Sequence, residues 1–147
     1  MISEVLLIPV CAWAVAQVIK VFVILIKEKR LDLRYFVSSG GMPSAHSATV
    51  CALATAVAIK DGMNSVTFSI AAILAIVVMY DAAGVRRAVS RQSIVLNRML
   101  KEFREKRSRD EVEHDFRVLI GHTPFQVIVG AILGAAIAVL WLRIIGG

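Results

Sequence analysis

The sequence predicts an all-α fold, an integral membrane helical bundle with about four transmembrane helices and an additional charged interfacial or cytoplasmic helix. Three observations support this fold class. Apolar residues make up 58% of the 147 residues, above the share of about 45–50% that is usual in soluble domains. The mean hydropathy is +0.74. The apolar residues also form separate long runs, and the excess positive charge lies between those runs.

The apolar runs define the predicted spans of a single membrane domain that covers residues 1–147. The first and the last run are long enough to cross a bilayer. The second is shorter and rich in Ala, Ser and Thr, so we expect it to lie inside the bundle. It begins at a glycine turn followed by Pro43, which suits the first turn of a helix. The four spans are predicted at about 5–26, 44–60, 65–85 and 123–145.

Residues 88–118 form a charged insertion in which apolar residues recur among alternating charges, as expected of an interfacial or cytoplasmic helix. Segment 86–118 has ten Lys and Arg against six Asp and Glu, and loop 27–34 has four against two. Loop 61–64 has one acid and no base. We expect the chain to lie in a bacterial-type cell membrane. The positive-inside rule then places both basic loops on the cytoplasmic side of that membrane and both termini on the outer side.

Polar residues converge at one end of this predicted bundle. The end of the first span, the start of the second, the end of the third and the start of the fourth all lie on the same side of the membrane. Ionisable residues at membrane depth are costly and are candidates for a functional site, and a helix start with free N–H groups favours an anion such as phosphate. The residues at this end are Gln17, Lys20, Lys27, Ser44, His46, Asp81, Arg86, Arg87 and His122.

Two strings resemble motifs of the type 2 phosphatidic acid phosphatase superfamily, which includes the vanadium-dependent haloperoxidases. Pro43-Ser44-Ala45-His46 resembles its Pro-Ser-Gly-His motif, and the string from His122 to Gly130 resembles its third motif. Nearly the whole chain resembles the small divergent branch of this superfamily. The strings that carry this resemblance are 16–20, 40–44 and 81–87.

The resemblance implies roles for several residues at this end of the bundle. His122 would be the nucleophile that takes the phosphoryl group, and His46 the general acid that protonates the leaving oxygen. Apart from the resemblance, we expect Asp81 either to pair with an arginine or to support His122, because a buried carboxylate without a partner is costly. Fixed cations and N–H donors stabilise the charge of a phosphoryl group in transfer. The implied phosphate-binding residues are Lys20, Ser44, Ala45, Arg86 and Arg87. No metal or other cofactor is implied, and vanadate would act as a phosphate-mimicking inhibitor.

The chain departs from the superfamily pattern in four respects. Phe116 stands where the third motif has an arginine six residues before the histidine, and we expect Arg86 or Arg87 to take that role. Lys20 and Lys27 both fit parts of the first motif without its proline, so either lysine could enter the site, and the branch string favours Lys20. Ala45 replaces the glycine of the second motif. Gln126 stands where an aspartate orients the nucleophilic histidine. A glutamine oxygen accepts an imidazole N–H but cannot stabilise imidazolium by charge.

Two functions agree with these residues. The first is a metal-independent membrane phosphatase, an acid-phosphatase-like phosphoric monoester hydrolase that acts on a lipid or isoprenoid phosphate through a phosphohistidine intermediate. The alternative is a non-catalytic membrane protein that binds phosphate or a lipid headgroup in the same pocket. The histidine pair favours the first and Gln126 the second. The expected partners are a phosphorylated lipid-like substrate, membrane lipids and a second copy of the chain through Gly130 and Gly134, with no nucleic acid.

Overall fold

The structure is a computed structural model, and it describes residues 3–28, 41–85, 88–89, 92–96, 99 and 122–145. Within these ranges the chain forms helices and no strand. The prediction of an all-α bundle is therefore confirmed. The long helices are α1 (Glu4–Glu28), α2 (Ala45–Asp61), α3 (Val66–Tyr80), which continues into a π-helical turn at Asp81–Val85, and α4 (Pro124–Ile144).

Three stretches of the described chain are long and apolar enough to cross a membrane, namely Glu4–Ile26, Val66–Val85 and Pro124–Ile144. Their outward faces carry exposed apolar side chains such as Phe22, Ile73 and Ile132, which a bilayer would cover. The 17 residues of α2 extend over only about 25 Å, somewhat less than the hydrocarbon core of a bilayer. The described residues thus form three helices that are long enough to span a bilayer and a shorter fourth helix.

The shorter helix, α2, lies at the centre of the bundle and packs against α1, α3 and α4. Its interior face is made of small residues spaced four apart, which lie on one face of a helix. The neighbouring helices present the same spacing, so that their backbones approach closely. The small residues of this core are Ala12, Ala16, Ala48, Ala52, Ala56, Gly130, Gly134 and Ala138.

Gly130 and Gly134 allow α4 to lie against the backbone of α2. A Cβ atom at Gly130 would be 2.3 Å from the carbonyl oxygen of Ser44, and one at Gly134 would be 2.0 Å from that of Ala48. Both glycines are buried. The close packing expected of this pair therefore occurs within one chain. Because α2 fills this face within the chain, association with a second copy through these glycines stays a prediction that the structure does not test.

Contacts at the ends of the helices show which residues lie at the same end of the bundle. The start of α1 is joined to the end of α2 by an ion pair between Glu4 and Lys60, so these two helices are antiparallel. At that same end, Gly62 adopts a φ of 87° and the Ser65 hydroxyl caps α3. Contacts at successive turns show that α2 and α4 run parallel. The opposite end of the bundle therefore carries the starts of α2 and α4.

Candidate functional site

Lys20 lies in the interior of the bundle, near the end of α1. It continues the buried face formed by Ile8, Ala12 and Ala16, because residues four apart share one side of a helix. Only 1% of its surface is exposed. Lysines are almost never buried to this degree without a compensating partner. The charge of Lys20 is thus directed at groups inside the bundle, whereas the side chain of Lys27 lies outside the described part of the structure.

The turn before α2 places the backbone of Gly41 against Lys20, and Ser44 at the end of this turn caps α2. Gly41 has a φ of 95°, a conformation that favours glycine. Ser44 is the N-cap of α2, and its Oγ accepts the N–H of Ser47 at 3.3 Å and the hydroxyl of Ser47 at 3.0 Å. Ala45 follows as the first helical residue, whose N–H has no carbonyl partner within the helix. Ser44 and Ala45 are buried, whereas His46 is exposed.

The start of α4 is held against the start of α2. The N–H of Ser44 donates to the carbonyl oxygen of Gln126 at 3.1 Å. Thr123 and Gln126 form a reciprocal capping box, in which the Thr123 N–H donates to Gln126 Oε1 at 2.9 Å. His122 immediately precedes this box and is 1% exposed. The capping hydrogen bonds and the link between the two helices therefore determine where His122 lies.

The structure brings the two predicted catalytic histidines together. The ring centroids of His46 and His122 are 6.1 Å apart, and the ring planes meet at 64°. One ring is exposed and the other is buried. The site thus has an imidazole that solvent can reach next to one that is shielded from it.

The pKa of His122 is lowered to about 4, chiefly by burial and also by the nearby charges of Lys20 and, more weakly, His46. The Gln126 side chain and the Gly41 backbone act in the opposite direction. Neither ring nitrogen of His122 makes a hydrogen bond of normal geometry to another described residue. We conclude that these two groups lie near the ring without a well-formed hydrogen bond. His122 is therefore an uncharged imidazole at neutral pH.

Of the remaining predicted site residues, the structure describes Asp81 and Gln126. Asp81 is half-buried where α3 gives way to the π-helical turn, which contacts α4, and its N–H donates to the carbonyl oxygens of Val77 and Val78. Gln126 lies beside His122, but its Oε1 is already an acceptor in the capping box. Arg86 and Arg87 lie outside the described residues, so their proposed binding of phosphate stays a prediction.

Sequence reasoning missed two residues of this site. Ser47 supplies both hydrogen bonds to Ser44 Oγ, and its position three residues after the N-cap could have indicated this role. Gly41 was recognised only as part of a turn, although it contacts Lys20. No pattern in the local sequence indicates that a residue of α1 contacts that turn. Among the described residues, no group of three His, Cys, Asp or Glu side chains is arranged to hold a metal ion.

Comparison with known proteins assigns the chain to a family. The model of the divergent PAP2 family matches residues 1–137. The chain is also 39% identical over 128 residues to the "Uncharacterized membrane protein YuiD" of Bacillus subtilis (strain 168), a match that covers 81% of each chain. No solved structure matches. The likeness to a membrane protein, together with the three apolar helices, supports an integral membrane location. The chain belongs to the divergent PAP2 family.

Proposed function

We propose that this protein is a metal-independent membrane phosphatase that hydrolyses a lipid or isoprenoid phosphate. The observation that carries the proposal is the placement of His46 and His122, 6.1 Å apart between ring centroids, beside a buried lysine. A phosphate bound between these groups would interact favourably with the positive charge of Lys20 and with both imidazoles.

In the proposed reaction, an uncharged ring nitrogen of His122 attacks phosphorus and the bond to the leaving oxygen breaks. His46 donates a proton to that oxygen, so the product leaves as an alcohol. A water molecule then attacks the phosphohistidine, with His46 as the base, and releases phosphate and free His122. The low pKa of His122, about 4, keeps the nucleophile unprotonated at neutral pH.

Negative charge on the phosphoryl oxygens would be stabilised by fixed groups at the same end of the bundle. Lys20 supplies a positive charge, and the N–H of Ala45, which has no carbonyl partner within its own helix, is a donor at the start of that helix. Ser44 contributes less directly, because its Oγ already accepts two hydrogen bonds from Ser47. Arg86 and Arg87 are the proposed further cations of this clamp.

The position of these residues in the membrane favours a lipid-like substrate. Lys20 lies within the first spanning stretch, Glu4–Ile26, and His122 lies two residues before the last one, Pro124–Ile144. A phosphate that reaches both residues is therefore at the boundary of the apolar layer. A substrate with an apolar chain can keep that chain among lipids while its phosphate enters the site.

A second candidate function is binding of phosphate or a lipid headgroup without turnover. The observation that favours it is the environment of Gln126, which is uncharged and has its Oε1 engaged by the Thr123 N–H. An imidazole that becomes a phosphohistidine gains positive charge, and a neutral amide stabilises this charge poorly. The pocket could then retain an anion without transferring it.

Phosphate release by the purified full-length chain in detergent distinguishes these functions. Lipid and isoprenoid monophosphates are the substrates, and orthovanadate is the competing anion. We expect turnover that vanadate inhibits and that His122→Gln and Lys20→Met each abolish. Lys60→Met is the matched control, because Lys60 pairs with Glu4 at the other end of the bundle. Vanadate binding that depends on Lys20, without any turnover, would support the binding function. Turnover that survives both substitutions would exclude this site.

A further inference from the structure

Gly41 lies between the two most deeply buried ionisable residues of the site. A Cβ atom built on Gly41 would be 3.2 Å from Cγ and 3.3 Å from Cδ of Lys20, and 3.8 Å from Cε. The backbone of Gly41 also lies near the ring of His122 and raises the pKa of that ring. Lys20 and His122 are each 1% exposed. A single peptide segment therefore contacts the stem of the lysine and faces the imidazole.

We propose that Gly41 is a positioning residue, whose missing side chain lets the Lys20 stem lie against its backbone and so holds the Lys20 ammonium near His122. The role of this ammonium in turnover rests on the phosphatase function proposed above. The contact itself does not depend on that function. Gly41 is not assigned a chemical step.

The geometry explains why a side chain at position 41 would displace Lys20. The two closest atoms, Cγ and Cδ, belong to the middle of the stem and not to its flexible end. Because Lys20 is almost fully buried, its stem is surrounded by protein groups and cannot swing out into solvent. A methyl group on residue 41 therefore shifts the stem by a few tenths of an ångström, and the ammonium moves with it.

A second glycine provides a matched control for the backbone. Gly62 has a φ of 87°, close to the 95° of Gly41, so alanine at either position suffers a similar backbone strain. A Cβ atom at Gly62 would meet nothing within 4 Å. The difference between Gly41→Ala and Gly62→Ala therefore isolates the effect of the contact with Lys20.

The first measurement compares kcat/KM of the full-length chain and both variants on a lipid phosphate. We expect Gly41→Ala to lower kcat/KM by about tenfold or more, since small displacements of positioned groups can have effects of this size. Gly62→Ala should stay close to wild type. Because Lys20→Met is itself expected to abolish turnover, the coupling expected of two residues in contact is tested in that background by the second measurement.

The second measurement needs no turnover. NMR titration of histidine-labelled protein in detergent follows His122, which variants of the other histidines allow to be assigned. The groups that face His122 are Lys20 from α1, His46 from α2, Gln126 from α4 and the Gly41 backbone. Because the Lys20 charge lowers the pKa of His122, its displacement should move this pKa upward from about 4. Gly62→Ala should not move it, and neither should Gly41→Ala in the Lys20→Met background.

The two measurements separate the possible failures. An upward shift of the His122 pKa in Gly41→Ala alone supports the positioning role even if the wild-type chain releases no phosphate, in which case only the phosphatase proposal fails. Equal behaviour of Gly41→Ala and Gly62→Ala in an active protein overturns the positioning role and leaves the phosphatase proposal intact. Loss of folding in Gly41→Ala but not Gly62→Ala, seen by circular dichroism, would also overturn it.

Discussion

Gly134 in α4 lies against the backbone of Ala48 in α2, and a Cβ atom on Gly134 would be 2.0 Å from the Ala48 carbonyl oxygen. One turn earlier, Gly130 has the same relationship with Ser44. These two contacts keep α2 and α4 parallel and in close contact where their first residues build the site. The position of His122 relative to Ser44 thus depends on glycines that lie outside the site itself.

Gly134→Ala is expected to destabilise the protein by about 1–3 kcal/mol or more, because the added methyl group forces two tightly packed backbones apart. Thermal unfolding in detergent measures the effect. Gly84→Ala is the control, because a Cβ atom there would meet nothing within 4 Å. Equal stability of the two variants would contradict the close packing of α2 and α4.

Acidification is expected to destabilise the protein through His122. Its pKa is about 4 in the folded chain and 6.5 when unperturbed, so the unfolded chain takes up the proton first as the pH falls. The stability is complete above about pH 6.5 and decreases by about 3 kcal/mol as the pH falls to about 4. Unfolding in detergent at several pH values measures this loss. His122→Gln should remove much of it and His46→Gln should not; the same acid loss in both variants would exclude His122 as the cause.

Gln126→Glu is expected to raise phosphatase turnover. Glutamate is a usual residue at this position of a capping box, so the Thr123 N–H keeps its acceptor while a negative charge is added near His122. Orienting carboxylates contribute large factors to catalysis in other enzymes, and we expect an increase of about tenfold or more. Gln126→Ala, which removes the cap without adding charge, is the comparison. If turnover does not rise in a folded Gln126→Glu protein, the missing charge does not limit the rate.

Asp81→Asn is expected to abolish turnover if Asp81 already compensates the charge of His122 or of the phosphate-binding arginines. Asp81 is half-buried at the end of the bundle that carries the site. Asp61→Asn is the matched control, because Asp61 accepts a hydrogen bond from Thr67 at the opposite end. Phosphate release and circular dichroism are measured together. Full turnover in Asp81→Asn would leave this carboxylate without a part in the reaction.

The Lys and Arg distribution predicts which ends of the helices face the cytoplasm. Met63 lies in the hairpin between α2 and α3 and is 72% exposed. In a chain without its native cysteines, we expect Met63→Cys to react with an impermeant maleimide on intact cells. Glu105→Cys, in the charged insertion, should react only after permeabilisation. Labelling at position 105 of intact cells would reverse the orientation.

The sequence was sufficient to predict the fold class and which ends of the four long helices lie together. Long apolar runs predict helices in a membrane, and alternation of their directions brings the ends of α1 and α3 together with the starts of α2 and α4. The local strings around Ser44 and His122 indicated where an anion could bind. These features depend on composition and on residues close together in the chain, so no knowledge of packing was needed.

Only the tertiary structure decided how these residues meet. It showed that Lys20 is buried and that its stem lies on Gly41. It also showed that Gly130 and Gly134 pack against α2 of the same chain. A Gly-xxx-Gly pattern predicts a close approach but does not identify the helix that approaches. The burial that lowers the pKa of His122 likewise results from residues far apart in sequence, and such contacts follow from packing and not from any local pattern.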